Sequence, residues 1–208
     1  MKIELISHTP DPELTIANCA TTCYDSKPKD IEASRKMIRS LAKAGHEAMI
    51  EHAHATFKLS GVSRVLTHEL VRHRLFSFAQ RSQRYVKENK PSYVIPDVLV
   101  DDNSANLMMQ RAKDYFMKAM SDAWHAYKTL LECGLKPEDA RFVLPNACTT
   151  EIIVSGNFRE YRNFLKLRLG PRAQWEIRKA ANIILDKLYE IAPSCFEDLK
   201  NGTNIQQT

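Results

Sequence analysis

Four arginines, Arg72, Arg74, Arg81 and Arg84, fall within thirteen positions of this chain, interleaved with Ser77, Gln80, Ser82 and Gln83. Guanidiniums this close repel one another unless an anion or carboxylates sit among them. One solution is pairing with acids such as Glu88, Asp101 and Asp102, which on a surface contributes little per pair. The other is a bound phosphate: Arg72 or Arg74 grips it through two parallel N–H bonds, Ser82 and its backbone N–H complete the oxygen shell, and Arg84 approaches from the same side. Hydroxyl and amide donors among the arginines favour the anion, because salt bridges alone need none of them. Phe76, Phe78 and Tyr85 supply a flat apolar wall that suits a base or an isoalloxazine ring, and equally suits core packing. Stacked rings among arginines also describe single-stranded nucleic acid binding, so an RNA-binding reading stays open at this point.

A second polar concentration lies in SGNFREYRNFLKLRLGPRAQWEIR. On a helix, Arg159 and Asn163 are one turn apart, Phe158, Tyr161 and Leu165 form the apolar side, and Arg168 falls near the C-terminus, where the helix dipole favours a cation. Asn157 has the chemistry of an N-cap. Histidines His46, His52, His54, His68 and His73, with Glu51 and Glu69, offer other reactive chemistry, but GHEAMIEH lacks the interval of an HExxH metal motif. His8, His54 and His125 read as ordinary surface or core histidines. No GxSxG supports a serine nucleophile. Cys19, Cys23, Cys133, Cys148 and Cys195 are an odd, sparse set that fits a reducing compartment, and Cys19 and Cys23, spaced for one helical turn but without a second close pair, give only weak support for a zinc site.

These groups must be held by elements of a chain with 30 basic and 25 acidic residues. The basic excess is local: residues 58–90 hold eight basic and two acidic residues, which suits a small anion better than an extended nucleic-acid stripe. The six glycines allow neither GxGxxG nor a P-loop, so a Rossmann unit is excluded and any phosphate must be held by arginines, hydroxyls or helix ends. Lacking an apolar leader or a membrane-length apolar run, the chain is expected in the cytoplasm. A strand is expected at Ile3–Ser7, a helix from Leu14 to Cys23, and another over Glu32–Ala44 ended by Gly45. His52–Gly61 reads as a strand with Ala53, Ala55 and Phe57 inward, and Gly61 then turns into a helix from Val62 to Arg72 with Val62, Val65, Leu66 and Leu70 as inner stripe. Periodicity fails from His73 to Val94. The longest helix is expected from Asn103 or Ser104 to Cys133, with Leu107, Tyr115, Met120, Trp124, Tyr127 and Leu131 on its apolar face and Met108, Met109, Met117 and Met120 filling core. A short helix at Asp139–Leu144, a strand in TTEIIVSG, and helices at Phe158–Leu169 and Ala173–Ile191 complete an α/β, mixed, helix-rich single domain over 1–208 without βαβ repetition. The tail beyond Pro193, above all after residue 200, is expected to fray.

RHRLFSFAQRS fits the RHR, seven residues, Ser signature of the flavin-dependent thymidylate synthases, and the chain resembles that family over nearly its whole length through GHEAMIEH, GVSRVLTHELVRHR, RFVLPNA, NFREYRNFLKLR and RAQWEIR. The resemblance implies the family's own α/β fold and reductive methylation of dUMP to dTMP with bound FAD, 5,10-methylenetetrahydrofolate and NADPH. It also implies a homotetramer with active sites shared between subunits, and neither nucleic acid, membrane nor metal as partner. By the same resemblance, His46, Glu51, Arg72, His73, Arg74, Leu75, Gln80, Asn157, Arg159 and Asn163 contact FAD. Glu69, Leu70, Val71 and Arg72 on one chain, Gln80, Arg81, Ser82, Gln83 and Arg84 on another, and Arg141 and Arg168 contact dUMP. Ser82 is similar to the phosphate-binding serine, and Arg168 to the catalytic arginine placed against the pyrimidine. The chain departs from relatives at Glu69, where some have glutamine, and at Ala48 and Arg172, where a hydroxyl residue and histidine occur. An RNA-binding module and a metal-dependent hydrolase are the competing classes.

Overall fold

The structure, a computed structural model, describes residues 1–22, 30–88, 90, 92–100 and 106–202. Cys23, Asp101, Asp102, the expected helix start at Asn103 or Ser104, and the end of the tail lie outside the described residues. The elements run β1 (Lys2–His8), α1 (Pro12–Thr21), α2 (Ile31–Lys43), a 3₁₀ turn (Glu47–His52), β2 (His54–Ser63), α3 (Arg64–Leu70) and β3 (Ser77–Gln80). Then follow α4 (Asp97–Val100), α5 (Leu107–Glu132), α6 (Pro137–Ala140), a 3₁₀ turn (Arg141–Val143), β4 (Thr149–Asn157), α7 (Phe158–Arg168), α8 (Trp175–Ile191) and α9 (Pro193–Lys200). The sheet order is β1-β2-β4-β3. Pairing is antiparallel: the Thr9 N–H, just past β1, donates to His54 O at the start of β2, Thr56 and Ser155 hydroxyls meet at 3.0 Å, and the Arg81 N–H, just past β3, donates to Glu151 O near the start of β4. The mixed, helix-rich character matches the expectation, and the antiparallel neighbours differ from the parallel sheet of a Rossmann unit. Among the described residues no helix is long and apolar enough to cross a membrane.

The chain forms two compact units. The first comprises Met1–Leu59, Glu69–Ala79 and Ile153–Thr208. Ala53, just before β2, and Ala55, Phe57 and Leu59 within it are buried in strand alternation. Ile177, Ala180, Ala181, Ile184, Leu185 and Leu188 form the 3.6-period stripe of α8, and Phe158, Tyr161, Phe164 and Leu165 form that of α7. The Tyr161 hydroxyl donates to Ala55 O and Val154 O, at 3.3 and 3.2 Å, so this phenol satisfies its polarity inside the core. After Pro193 the chain is helical, contrary to the expected fraying as far as residue 200. Ser194, Cys195, Phe196 and Leu199 are buried, Phe196 meets Phe158 edge-on at 5.2 Å, and Glu13 accepts the Ser194 N–H at 2.7 Å in place of a local cap.

The second unit comprises Ser60–His68 and Gln80–Ile152. Gly61 does not turn the chain into a helix: it takes φ +65° within β2, which continues to Ser63. Ser63 then accepts the Leu66 N–H at 3.0 Å, so the helix begins at Arg64 rather than Val62. Val65, expected inside, is exposed, whereas Val62, Leu66 and Leu70 are buried as expected. Of the four α5 methionines only Met120 is buried; Met108, Met109 and Met117 are exposed, as are Leu107 and Tyr115. A unit this small has too few elements to cover a 26-residue helix along its whole apolar face.

In the first unit one guanidinium has no exposure. Arg162 donates to both Asp198 oxygens at 2.7 Å, to Glu47 at 2.9 Å and to Cys195 O. Burial alone would weaken its basicity, and the Asp198 and Glu47 carboxylates reverse that. Truncation removes the buried cation shared by Asp198 and Glu47, so Arg162→Ala is expected to lower the unfolding free energy by about 3–5 kcal/mol in chemical denaturation. A loss below about 1 kcal/mol, the scale of an exposed pair, would contradict this account.

Candidate active site

Where β4 passes into α7, the Asn157 side chain folds back to accept the Glu160 N–H at 2.9 Å, the capping role its position suggests. Capping sets the rotation of α7, so Arg159, Asn163 and Lys166 share its outward face. With Glu47, Glu51, Leu75, Asn157 and Glu160 they line an open cleft of about 590 Å³ in the first unit. Five residues expected on the cofactor, Glu51, Leu75, Asn157, Arg159 and Asn163, therefore share one cleft. Arg159 is paired with Glu51, and Lys166 donates to Glu47 at 2.8 Å. Burial would raise the Glu47 pKa, yet Lys166 and Arg162 hold it below the ordinary carboxylate range. Leu75 is 79% exposed, which gives the cleft wall an apolar side chain that a flat apolar group could cover. Cationic and amide donors beside that leucine suit a ligand with an oxygen-rich part and an apolar part. His46 is exposed just before the first 3₁₀ turn and does not line this cleft. Val71, Arg72 and Arg74 are exposed, and among the described residues neither arginine has a carboxylate partner.

Arg168 ends α7 and is held by side chains from the Glu69–Ala79 segment. Its Nη1 donates to Glu69 Oε2 at 2.8 Å, and its Nε donates to His73 Nε2 at 3.1 Å. An imidazole nitrogen that accepts is unprotonated, so the neutral ring carries its proton on Nδ1, which faces Glu160 Oε1 at 3.9 Å. Burial, then the Arg168 charge, lowers the His73 pKa from 6.5 to about 4. Glu160 is buried too, which raises its pKa, while Asn163 lowers it in part. Phe164 stands edge-on to His73 at 5.1 Å, and Phe76 lies 4.7 Å from Tyr161. Phe76 occupies the place where a Cβ on Gly156 would stand, only 2.2 Å from its Cδ1, so this glycine admits the ring that backs His73. Leu70 is buried and its carbonyl accepts the His73 N–H, so Leu70 anchors the turn.

In the second unit, Gln80 donates to Thr67 Oγ1 at 3.2 Å, which ties its amide to the framework. Ser82 Oγ accepts the Arg84 N–H at 3.2 Å, shaping the turn that follows. Arg84 reaches Glu138 Oε2 at 3.4 Å, and Arg141 donates to the carbonyl of the same residue at 3.1 Å, which brings the two arginines together. Arg81 pairs with Glu88 at 3.6 Å, realising the acid-pairing solution at that position. Gln83 is buried with its amide nitrogen unpartnered among the described residues. Arg64 lies beneath this loop, donating to Arg81 O at 3.3 Å, and burial lowers its pKa. Burial likewise raises Cys148 to about 11 and pushes Cys195 up, so neither thiol is a nucleophile at neutral pH.

Sequence reasoning passed over Glu47, Glu160, Lys166 and Arg64 as site residues. Lys166 was accessible from the 159, 163, 166 spacing on one helical face. The others needed the tertiary fold. Among the described residues no group of three or more His, Cys, Asp or Glu is placed to hold a metal ion.

Residues 4–194 match the model of the Thy1 family, described as thymidylate synthase complementing protein. A cleft with these donors and two arginine clusters on a mixed, helix-rich fold thus sits in a chain that belongs to the Thy1 family. The chain is 39% identical to the flavin-dependent thymidylate synthase of Clostridium tetani, over 95% of its own length and 86% of that protein. It is 42% identical to the one of Geobacter sulfurreducens, over 97% and 88%, and 37% identical to the one of Pyrococcus abyssi, over 90% and 79%.

His73 gives a pH test. Its folded pKa of about 4 lies below the unfolded 6.5, so between them the unfolded chain binds the extra proton. Its contribution is complete above pH 6.5 and declines as pH falls toward 4. The melting temperature of the wild type should therefore lose ground to that of His73→Gln between those limits on acidification. Parallel melting curves across that window would refute the assignment.

Proposed function

We propose that this chain is a flavin-dependent thymidylate synthase that makes dTMP from dUMP, with 5,10-methylenetetrahydrofolate as carbon donor, NADPH as reductant and FAD as bound cofactor. The observation that carries the reading is the clustering of Glu51, Leu75, Asn157, Arg159 and Asn163 on one cleft, with Arg168 oriented at the far end of the same helix, in a chain of the Thy1 family. The cleft's donors and its exposed leucine fit a flavin, which combines a flat ring with an oxygen-rich chain. Arg81 and Arg84 are each matched by a carboxylate, which counts against a continuous basic stripe for RNA.

In this reading FAD, when bound, supplies the hydride chemistry. His46, Glu51, Arg72, His73, Arg74, Leu75, Gln80, Asn157, Arg159 and Asn163 form its site, His73 through its hold on Arg168. Leu70, Val71 and Arg72 of one subunit, with Arg168 held by Glu69, frame the pyrimidine, while Gln80–Arg84 and Arg141 of another supply the phosphate end. Ser82, Arg84 and Arg141 offer a hydroxyl and two guanidiniums to the phosphate oxygens. Arg168 directs N–H donors at the uracil imide, where negative charge develops as C5 becomes nucleophilic. The balance is one methylene carbon from the folate and one hydride from NADPH added at C5, while the lost C5 proton and one proton from solvent account for the two N–H bonds of the released tetrahydrofolate, and NADP⁺ leaves. Leu107, Met108, Tyr115 and Phe142, all exposed, support burial against other copies in a homotetramer.

Purified protein is expected to be yellow with bound FAD and to release tritium from [5-³H]dUMP only with both folate donor and reductant present. A colourless protein that takes up no added FAD would overturn the reading. Ser82→Ala is expected to weaken dUMP binding about ten- to a hundredfold with flavin retained, the scale of one hydrogen bond to a charged group. Unchanged dUMP affinity in titration calorimetry would reject the phosphate role.

A further inference from the structure

Arg168 carries five N–H donors, and three of them are already committed. Nη1 donates to Glu69 Oε2 at 2.8 Å, Nη2 reaches Glu69 O at 3.5 Å, and Nε donates to His73 Nε2 at 3.1 Å. One N–H on each terminal nitrogen remains. The Arg168 side chain is 22% exposed, so it is held and yet reachable by a ligand. The holding residues are themselves fixed. Glu69 lies in the last turn of α3, and its carbonyl also accepts the Arg72 N–H at 3.2 Å, while the His73 N–H donates to Leu70 O at 3.1 Å and His73 O accepts from Phe76. Leu70, His73 and Phe76 are buried, so this turn is anchored by packing as well as by hydrogen bonds.

We propose that Glu69 is a positioning residue: with His73 it clamps the plane of the Arg168 guanidinium and balances its charge, leaving two oriented N–H groups for the substrate. The proposal rests on the reading that Arg168 faces the pyrimidine. It gives Glu69 a role that needs no direct contact with the nucleotide. A carboxylate at 2.8 Å makes the pair neutral at longer range, so the site presents an oriented donor pair rather than a bare cation. Such a site suits a neutral ring bearing carbonyl acceptors, on which charge appears only as reaction proceeds.

The test compares Glu69→Ala and Glu69→Gln with the wild-type holoenzyme in three measurements: FAD content, steady-state kinetics with dUMP, and the ¹H–¹⁵N resonance of Arg168 Nε–H, assigned with Arg168→Lys. In Glu69→Ala, kcat is expected to fall about a hundredfold, the effect of displacing a positioned group by roughly 1 Å, with FAD content and the KM for dUMP nearly unchanged. The Arg168 resonance should broaden or shift to the position of exposed arginines. Glu69→Gln keeps an acceptor oxygen and should recover the resonance and much of kcat. A rise in KM alone, or an unaltered resonance in Glu69→Ala, would overturn the proposal and make Glu69 a direct ligand contact or a bystander. If the alanine variant fails to fold, Glu69→Asp, which withdraws the carboxylate by one methylene, is read the same way. Wild-type protein without dUMP turnover would count against the proposed function, and the resonance comparison would still decide the clamp.

Discussion

A guanidinium with no solvent exposure has to bring its counter-charges with it, and Arg162 does so by drawing Glu47, Asp198 and the Cys195 carbonyl to one point. Those partners come from the first 3₁₀ turn and from α9, so a single side chain of α7 ties together segments 115 and 36 residues away. The cleft depends on that tie. Glu47 lines it, Lys166 is held against Glu47, and the turn that presents Glu51 to Arg159 is the same turn.

The same device recurs along α7 at three depths. Arg159 meets Glu51 where both are half exposed, Arg162 meets its acids in full burial, and Arg168 meets Glu69 at intermediate depth. Charge pairs at the surface add little stability, whereas at reduced exposure they fix direction. Arg168 gains a further constraint from a neutral His73, whose accepting lone pair burial and the neighbouring cation preserve to lower pH. Stability and site geometry are thus carried by one helix, its buried stripe serving the core and its arginines serving orientation.

Much of this was legible in the residue pattern. The strand alternation of Ala53, Ala55 and Phe57, the boundaries of α7, the capping chemistry of Asn157, and the arginine–serine segment all follow from local rules that act over a few positions. Helix α9 escaped because eight residues show little periodicity and its N-terminus is capped by Glu13, 181 residues away. The α5 methionines were misplaced for a related reason. An apolar stripe announces a face that seeks cover, but not whether the same chain supplies it.

Residue types and spacing, by themselves, determined the class of element at most positions, the exclusion of a glycine-cradled nucleotide site, and the family signature around Arg72, Arg74 and Ser82. Only the tertiary structure decided which acid answers which arginine: Glu69 for Arg168, Glu51 for Arg159, Glu138 for Arg84. Propensity and periodicity are local and survive in one dimension. An ion pair or a shared proton is set by distances of about 3–4 Å between side chains remote in sequence, and those distances exist only after the chain has folded.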